Sequence, residues 1–134
     1  MRKWLREMSP AMLLYLVVIL LVALGNGMSD SVLANYFKDA YHVDSVLRGF
    51  IEFPRELPGF LCALLIAALS FFGDVRSAVF AQILSVIGLT VLGLFTPPFG
   101  GMLVFLFIYS MGQHLFMPLQ DSIGMSLAEP DRIG

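Results

Sequence analysis

The sequence predicts an all-α integral membrane protein with four transmembrane helices, and three observations carry that expectation. Hydrophobic residues make up 58% of the chain and charged residues only 13%, about half the charged share with which a soluble domain covers its surface. No Asp, Glu, Lys or Arg occurs within residues 8–29, 57–73 or 77–120, and a helix needs only about 20 apolar residues to cross a hydrocarbon core roughly 30 Å thick. The last run is about twice that length and contains TPPFGG at residues 96–101. That break divides it into two crossings.

The first helix is expected over residues 10–36. Pro10 suits a first turn, where a missing N–H costs nothing. The basic start MRKWLRE resembles that of a signal peptide, yet the apolar run that follows exceeds an h-region and no A-x-A-like cleavage site comes after it, so it reads as a retained span. The second helix is expected over 46–72 with Asp44 or Ser45 as its N-cap, and the third over 76–95 with Asp74 as its cap. Pro97 and Pro98 end the third helix, and Gly100 and Gly101 allow a tight return into the fourth, over 102–127. When four helices alternate, Arg2, Lys3, Arg6, Arg76 and Arg132 fall on one side and Lys38, with Arg48 near the rim, on the other. Both termini are therefore expected in the cytoplasm, with the cell membrane as the host bilayer. Gly25, Gly27, Gly88, Gly93, Gly112 and Gly124 are expected to let helix backbones approach closely, since tight packing replaces the hydrophobic drive between helices in lipid.

Several function classes are excluded. A net charge of −2 without a basic stripe, and without a Gly-rich phosphate loop, argues against nucleic acid and nucleotides. No Cys/His spacing matches a metal site, and His42, in the outer loop, is not expected to meet His114. The lone Cys62 cannot form an intramolecular disulfide and is expected as a small buried hydrophobe. No nucleophile–base set is recognisable, so neither an enzyme nor a cofactor is expected.

The informative residues are the polar ones inside apolar helices. In GFIEFPRELPGF, residues 49–60, a helix places Arg48, Glu52, Arg55, Glu56 and Gly59 on one stripe, where opposite charges pair at i,i+3 and i,i+4. Each charge costs at least ~2.5–3.5 kcal/mol at a bilayer centre. Pro54 and Pro58 also leave the carbonyls of Phe50 and Pro54 without donors, and at membrane depth these must face a cavity, water or another helix. Two expectations follow: paired charges snorkelling to the outer headgroups, or a cavity-facing segment with Glu52 or Glu56 as proton carrier. In the fourth helix Ser110, Gln113, His114, Gln120 and Asp121 form a second polar set. His114 and Asp121 are seven apart and face the same way, with Gln113 and Gln120 beside them and Met117 and Met125 on the same broad face. Asp121 is also placed to pair with Arg76 or Arg132 near the inner interface. Asn26 and Asp30 sit four apart in the outer half of the first helix.

Taken together, the basic start, the Gly-containing first helix, the outer loop leading through HVDSVLRGF, the short GDVRSA turn, SMGQHLFMP in the fourth helix and the closing LAEPDRIG resemble the N-terminal part of a major facilitator superfamily transporter. In that family the loop between helices two and three reads close to G-x-x-x-D-R-x-G-R-R. Gly73 matches its second glycine, Arg76 falls near its basic end with Asp74 between them, and Gly112 matches a glycine of helix four. Ile66, Ser70, Phe71 and Ile108 stand where the family has Gly, Asp, Arg and Arg, so the acid and base of its charge latch are missing.

The resemblance implies twelve helices in two halves that rock about a central site, with helices one and four lining the cavity and helix two bordering it. The charged stripe would then face the gap between the halves. Four helices supply too few for two halves, so a portion of a longer transporter is expected, whose partners are the bilayer, a small-molecule substrate and either the remaining helices or copies of the chain itself. Membrane carboxylates and His114 slightly favour proton coupling. The alternatives are a self-associating four-helix multidrug-type transporter and a non-transporting membrane scaffold or assembly subunit.

Overall fold

The computed structural model describes residues 8–128. Arg2, Lys3, Arg6 and Arg132, on which the orientation argument leans, lie outside the described residues. Four helices follow one another: α1 (Pro10–Tyr41), α2 (Ser45–Leu69, extended by a 3-10 turn at Ser70–Phe72), α3 (Asp74–Phe95) and α4 (Phe99–Leu127). All four are long and apolar enough to cross a membrane. Among the described residues there is no strand, and the chain is an all-α membrane protein. The end of the bundle where α1 stops and α4 begins is termed distal below, the other end proximal.

Each helix boundary has a local cause. Ser9 caps α1, its hydroxyl accepting from Met12 N at 3.2 Å, with Pro10 in the first turn. α1 runs five residues beyond its expected end and stops at His42, which adopts a left-handed conformation with φ 53°. Asp44 caps α2, its carboxylate accepting from Val46 N at 3.0 Å and Leu47 N at 2.8 Å. Asp74 does not cap α3. Gly73 holds that position at φ +78°, a region that favours glycine, and Asp74 becomes the first helical residue, its carboxylate accepting instead from the Ser122 hydroxyl of α4. The distal turn also differs from expectation. Thr96 (φ 41°), Pro97 and Pro98 make it alone, and Gly100 and Gly101 already belong to α4.

α4 is the centre of the bundle, with α3 and α2 packed against it and α1 touching it lightly. The α3–α4 seam is built from small residues. Ser77, Ala78, Ala81, Ser85, Gly88 and Leu92 are the buried positions of α3; from Ala78 on they are three or four apart, and Ser77 is four before Ala81, so all lie on one face. A Cβ on Gly88 would lie 2.5 Å from Tyr109 N and 2.7 Å from Phe105 O, and one on Gly112 would lie 2.6 Å from Ser85 N. These two helices pack backbone on backbone, as small residues permit in lipid. Gly25, Gly27 and Gly93, expected to serve the same purpose, have nothing within 4 Å of the point where a Cβ would stand and face open space among the described residues. Gly124 instead makes room for the ring of Tyr15, 2.7 Å from where its Cβ would be.

Only Leu33 of α1 is buried, and tyrosine hydroxyls do much of the fastening. Tyr15 donates to Gln120 O at 2.8 Å, Tyr36 to Leu92 O at 2.7 Å and Tyr41 to Pro97 O at 2.6 Å. Leu92 is in the last turn of α3, whose carbonyls have no intrahelical donor, so Tyr36 satisfies a group that lipid cannot. The same contacts extend α1 through Tyr41, since the distal turn offers acceptors only to a chain still helical there. Tyr36→Phe leaves Leu92 O without this donor and is expected to cost about 1–2 kcal/mol, read as a lower midpoint in detergent-driven unfolding. An unchanged midpoint would rule out the clasp.

Candidate functional site

Halfway along α4, His114 lies about 22 Å of helix from Phe99 and about 20 Å from Leu127 at 1.5 Å per residue. The residues around it form one polar network drawn from three helices. On α2, Arg55 Nη1 approaches Glu52 Oε2 at 3.3 Å and Oε1 at 3.4 Å, the i,i+3 pairing expected of the stripe. Its Nη2 reaches Asp30 of α1 at 3.6 Å. Glu56 Oε2 lies 3.6 Å from His114 Nε2. On α4, Tyr109 is almost fully buried. Its hydroxyl accepts from Gln113 Nε2 at 2.7 Å and faces Asp30 Oδ1 at 3.5 Å. Ser110 donates to the backbone carbonyl of Arg55.

Glu56 meets the midpoint of α4, and the stripe's partners Asp30 and His114 come from other helices. Arg48, expected to pair within the stripe, forms no ion pair among the described residues; it is exposed at the distal end, more than one turn from Arg55. Close approach is allowed by Gly59, where a Cβ would stand 3.0 Å from His114 Cδ2.

The prolines shape the same region. Pro118 removes the intrahelical donor to His114 O, and the Cys62 thiol takes its place at 3.2 Å. Cys62 is thus half-buried with a donor role, beyond the filler expected of it. His114 Nδ1 lies 3.0 Å from Ser110 O and 3.1 Å from Ser110 Oγ. A carbonyl only accepts, so Nδ1 carries the hydrogen, which leaves Nε2 as the ring nitrogen that faces Glu56. In 15N NMR of ring-labelled protein the neutral imidazole is therefore expected as the Nδ1–H tautomer; an Nε2–H ring would contradict this geometry.

Two clefts meet at Asp30. The distal one, about 390 Å³ between α1 and α2, is lined by Asp30, Lys38, Asp44, Arg48, Glu52 and Arg55 among others. The proximal one, about 310 Å³ between α1 and α4, is lined by Asn26, Asp30, Gln113, His114 and Gln120 with apolar neighbours. The Asp30, Glu52 and Arg55 side chains are between 32% and 43% exposed and open into the clefts. A larger groove of about 580 Å³ between α1 and α3 is almost wholly apolar and has few groups that could orient a ligand.

Of the residues singled out from sequence, Asn26, Asp30, Glu52, Arg55, Glu56, Gln113, His114 and Gln120 line or build this region. Asp121 does not join it. It is exposed about 10 Å further along α4 than His114 and has no ion pair among the described residues, neither with Arg76 nor with His114. Met117 lines the proximal cleft, while Met125 is exposed. Gly73, Asp74 and Arg76 are at the proximal end, about 25 Å of helix from Glu56, where Gly73 shapes the turn and Arg76 is exposed, with no ion pair among the described residues. Tyr109 is the participant that sequence reasoning passed over. Its signal was the i,i+4 spacing to Gln113, repeated one position on by Ser110 and His114. No protein-family model matches the chain, and no curated protein or solved structure matches it significantly.

Proposed function

We propose that the chain is part of a secondary-active transporter of the major facilitator type, moving a small solute across the cell membrane by alternating access, with both termini in the cytoplasm. The observation that supports this reading most is the pair of clefts on either side of one ion-paired carboxylate, Asp30, inside a bundle of membrane-length helices and about 17 Å of helix from the distal end of α1. Polar groups of that kind inside a membrane mark solute or ion pathways, and transporter sites lie near the midplane between helices. The Asp30–Arg55 contact joins α1 to α2 at the junction of the clefts. It would act as the gate, closed when paired and loosened when a ligand or a proton takes the place of Arg55. Glu56 and His114, facing each other beside it, would carry a coupled proton. A second set of helices, from the same polypeptide or from further copies, would complete the pathway.

The test is uptake into proteoliposomes made with the native gene product, under an imposed proton gradient, for a panel of amines, sugars, amino acids and organic anions. At least one substrate should accumulate, and neutralising Glu52, Arg55 or Glu56 one at a time should suppress that accumulation. Uptake that survives all three substitutions would sink the proposed pathway.

A further inference from the structure

The formal charge lining the proximal cleft has one sign among the described residues. Asp30 is its sole carboxylate and no Lys or Arg lines it. Both contacts of the Asp30 carboxylate, with Arg55 Nη2 and with the Tyr109 hydroxyl, use Oδ1. Among the described residues Oδ2 has no hydrogen-bond or ion-pair partner. Gln113 commits Nε2 to Tyr109, which leaves its carbonyl oxygen as the open group. The nearby network is acidic overall, with Asp30, Glu52 and Glu56 set against the single guanidinium of Arg55. The distal cleft differs: Lys38, Arg48 and Arg55 balance Asp30, Asp44 and Glu52 there, so it has no preference of sign.

The Asp30 side chain is 43% exposed, so its open Oδ2 is accessible from the cleft and attracts a cation there. Below Asp30 the cleft turns apolar, with Phe116 and the exposed thioether of Met117, a surface that adapts to small hydrophobic groups. At about 310 Å³ it is at the small end of ligand pockets.

We propose that this cleft binds a small organic cation, a primary ammonium group on a compact apolar tail. The ammonium donates to Asp30 Oδ2 and to the Gln113 carbonyl, Asn26 lies one turn away, and the tail lies against Phe116 and Met117. The assignment rests on the transporter reading for its physiological meaning but can be tested without it, because binding is read apart from transport.

The probes are 2-phenylethylammonium, phenylacetate and 2-phenylethanol, which share a skeleton and differ in charge. Binding to the native gene product in nanodiscs is measured by calorimetry and by thermal unfolding. The ammonium compound should bind at least about tenfold more tightly than the alcohol, the carboxylate more weakly than either, and added salt should narrow the difference. Asp30→Asn should bring the ammonium compound down to the level of the alcohol. Equal affinity for the three probes, tighter binding of phenylacetate, or an undiminished ammonium preference in Asp30→Asn would each overturn the proposal. The comparison among probes on the unmodified protein decides the matter even where Asp30→Asn does not fold. In proteoliposomes, uptake of the alcohol or the carboxylate but not the amine overturns the cation assignment and leaves the transporter standing. Selective amine binding without transport of any panel member does the reverse.

Discussion

Gly112→Leu is expected to separate α3 from α4 and to be among the most damaging single substitutions in the chain. A side chain at this position would run into the backbone of Ala81 and Ser85 as well as the Ser85 hydroxyl, so a rotamer change of Ser85 alone does not relieve the clash. Overpacking usually costs about 1–3 kcal/mol, and more where backbone must shift. A loss of about 3 kcal/mol or more is expected here, since the whole α3–α4 seam would have to open. The damage would not stay local. Tyr109 and Ser110 precede Gly112 by less than one turn, and moving α4 withdraws the Tyr109 hydroxyl from Asp30 and that of Ser110 from Arg55 O. Unfolding free energies in bicelles, compared between wild type and Gly112→Leu, check this. A difference under about 0.5 kcal/mol, the range of ordinary surface substitutions, would mean that the helices are not in backbone contact.

The second large effect is expected for Arg55→Met, and it should appear first in the position of α1. Arg55 alone brings positive charge to both Asp30 and Glu52, and its loss leaves two carboxylates facing each other across the α1–α2 gap. Removing one partner of a fully buried pair costs about 3–5 kcal/mol. These side chains are about a third exposed, so water reduces the cost, and about 1–3 kcal/mol is the expected range. α1 buries only Leu33, and between its tyrosine clasps at Tyr15 and Tyr36 the Arg55 contact is its one ion pair among the described residues. Electron–electron resonance between spin labels at the exposed positions Val32 and Phe53 should show a broader and longer distance distribution in Arg55→Met. Adding Asp30→Asn to that variant should recover part of the loss, since the repulsion then disappears. Arg55→Lys should rescue incompletely, because a single ammonium cannot reach two carboxylates with separate nitrogens as the guanidinium does. Unchanged distances in Arg55→Met would remove the gate from the proposed mechanism.

Much of the candidate site could be read from residue identity alone. Charged and amide side chains are expensive in lipid, so Asn26, Asp30, Glu52, Arg55, Glu56, Gln113 and His114 stand out in any membrane span. Their partners could not be read in the same way. The i,i+3 contact of Arg55 with Glu52 is local and was foreseeable, whereas Asp30–Arg55 and Glu56–His114 join residues far apart in sequence. Asp121 shows the converse error. It shares a helical face with His114 by spacing, yet the bundle leaves it exposed, so periodicity said nothing about whether a neighbour lay on that side. Tyr109, Tyr36 and Tyr41 were overlooked for a different reason. A tyrosine in an apolar helix resembles any large hydrophobe, and its hydroxyl gains meaning only when an unsatisfied acceptor comes within about 3 Å.

By itself the sequence determined that the chain crosses a membrane, where each of the four helices runs to within five residues, and which side chains are costly there. Those properties depend on composition and local breakers, and lipid enforces them on each helix separately because every helix satisfies its own backbone. The tertiary structure alone decided that α4 is the centre, that Ser85, Gly88 and Gly112 form the tight seam while Gly25 and Gly27 face open space, and that Asp30 divides two clefts. In water an apolar stripe would mark the buried face of each helix. In lipid both faces are apolar and no such stripe is required, so the lateral order of the helices is set by side-chain shape and by a few polar contacts between them.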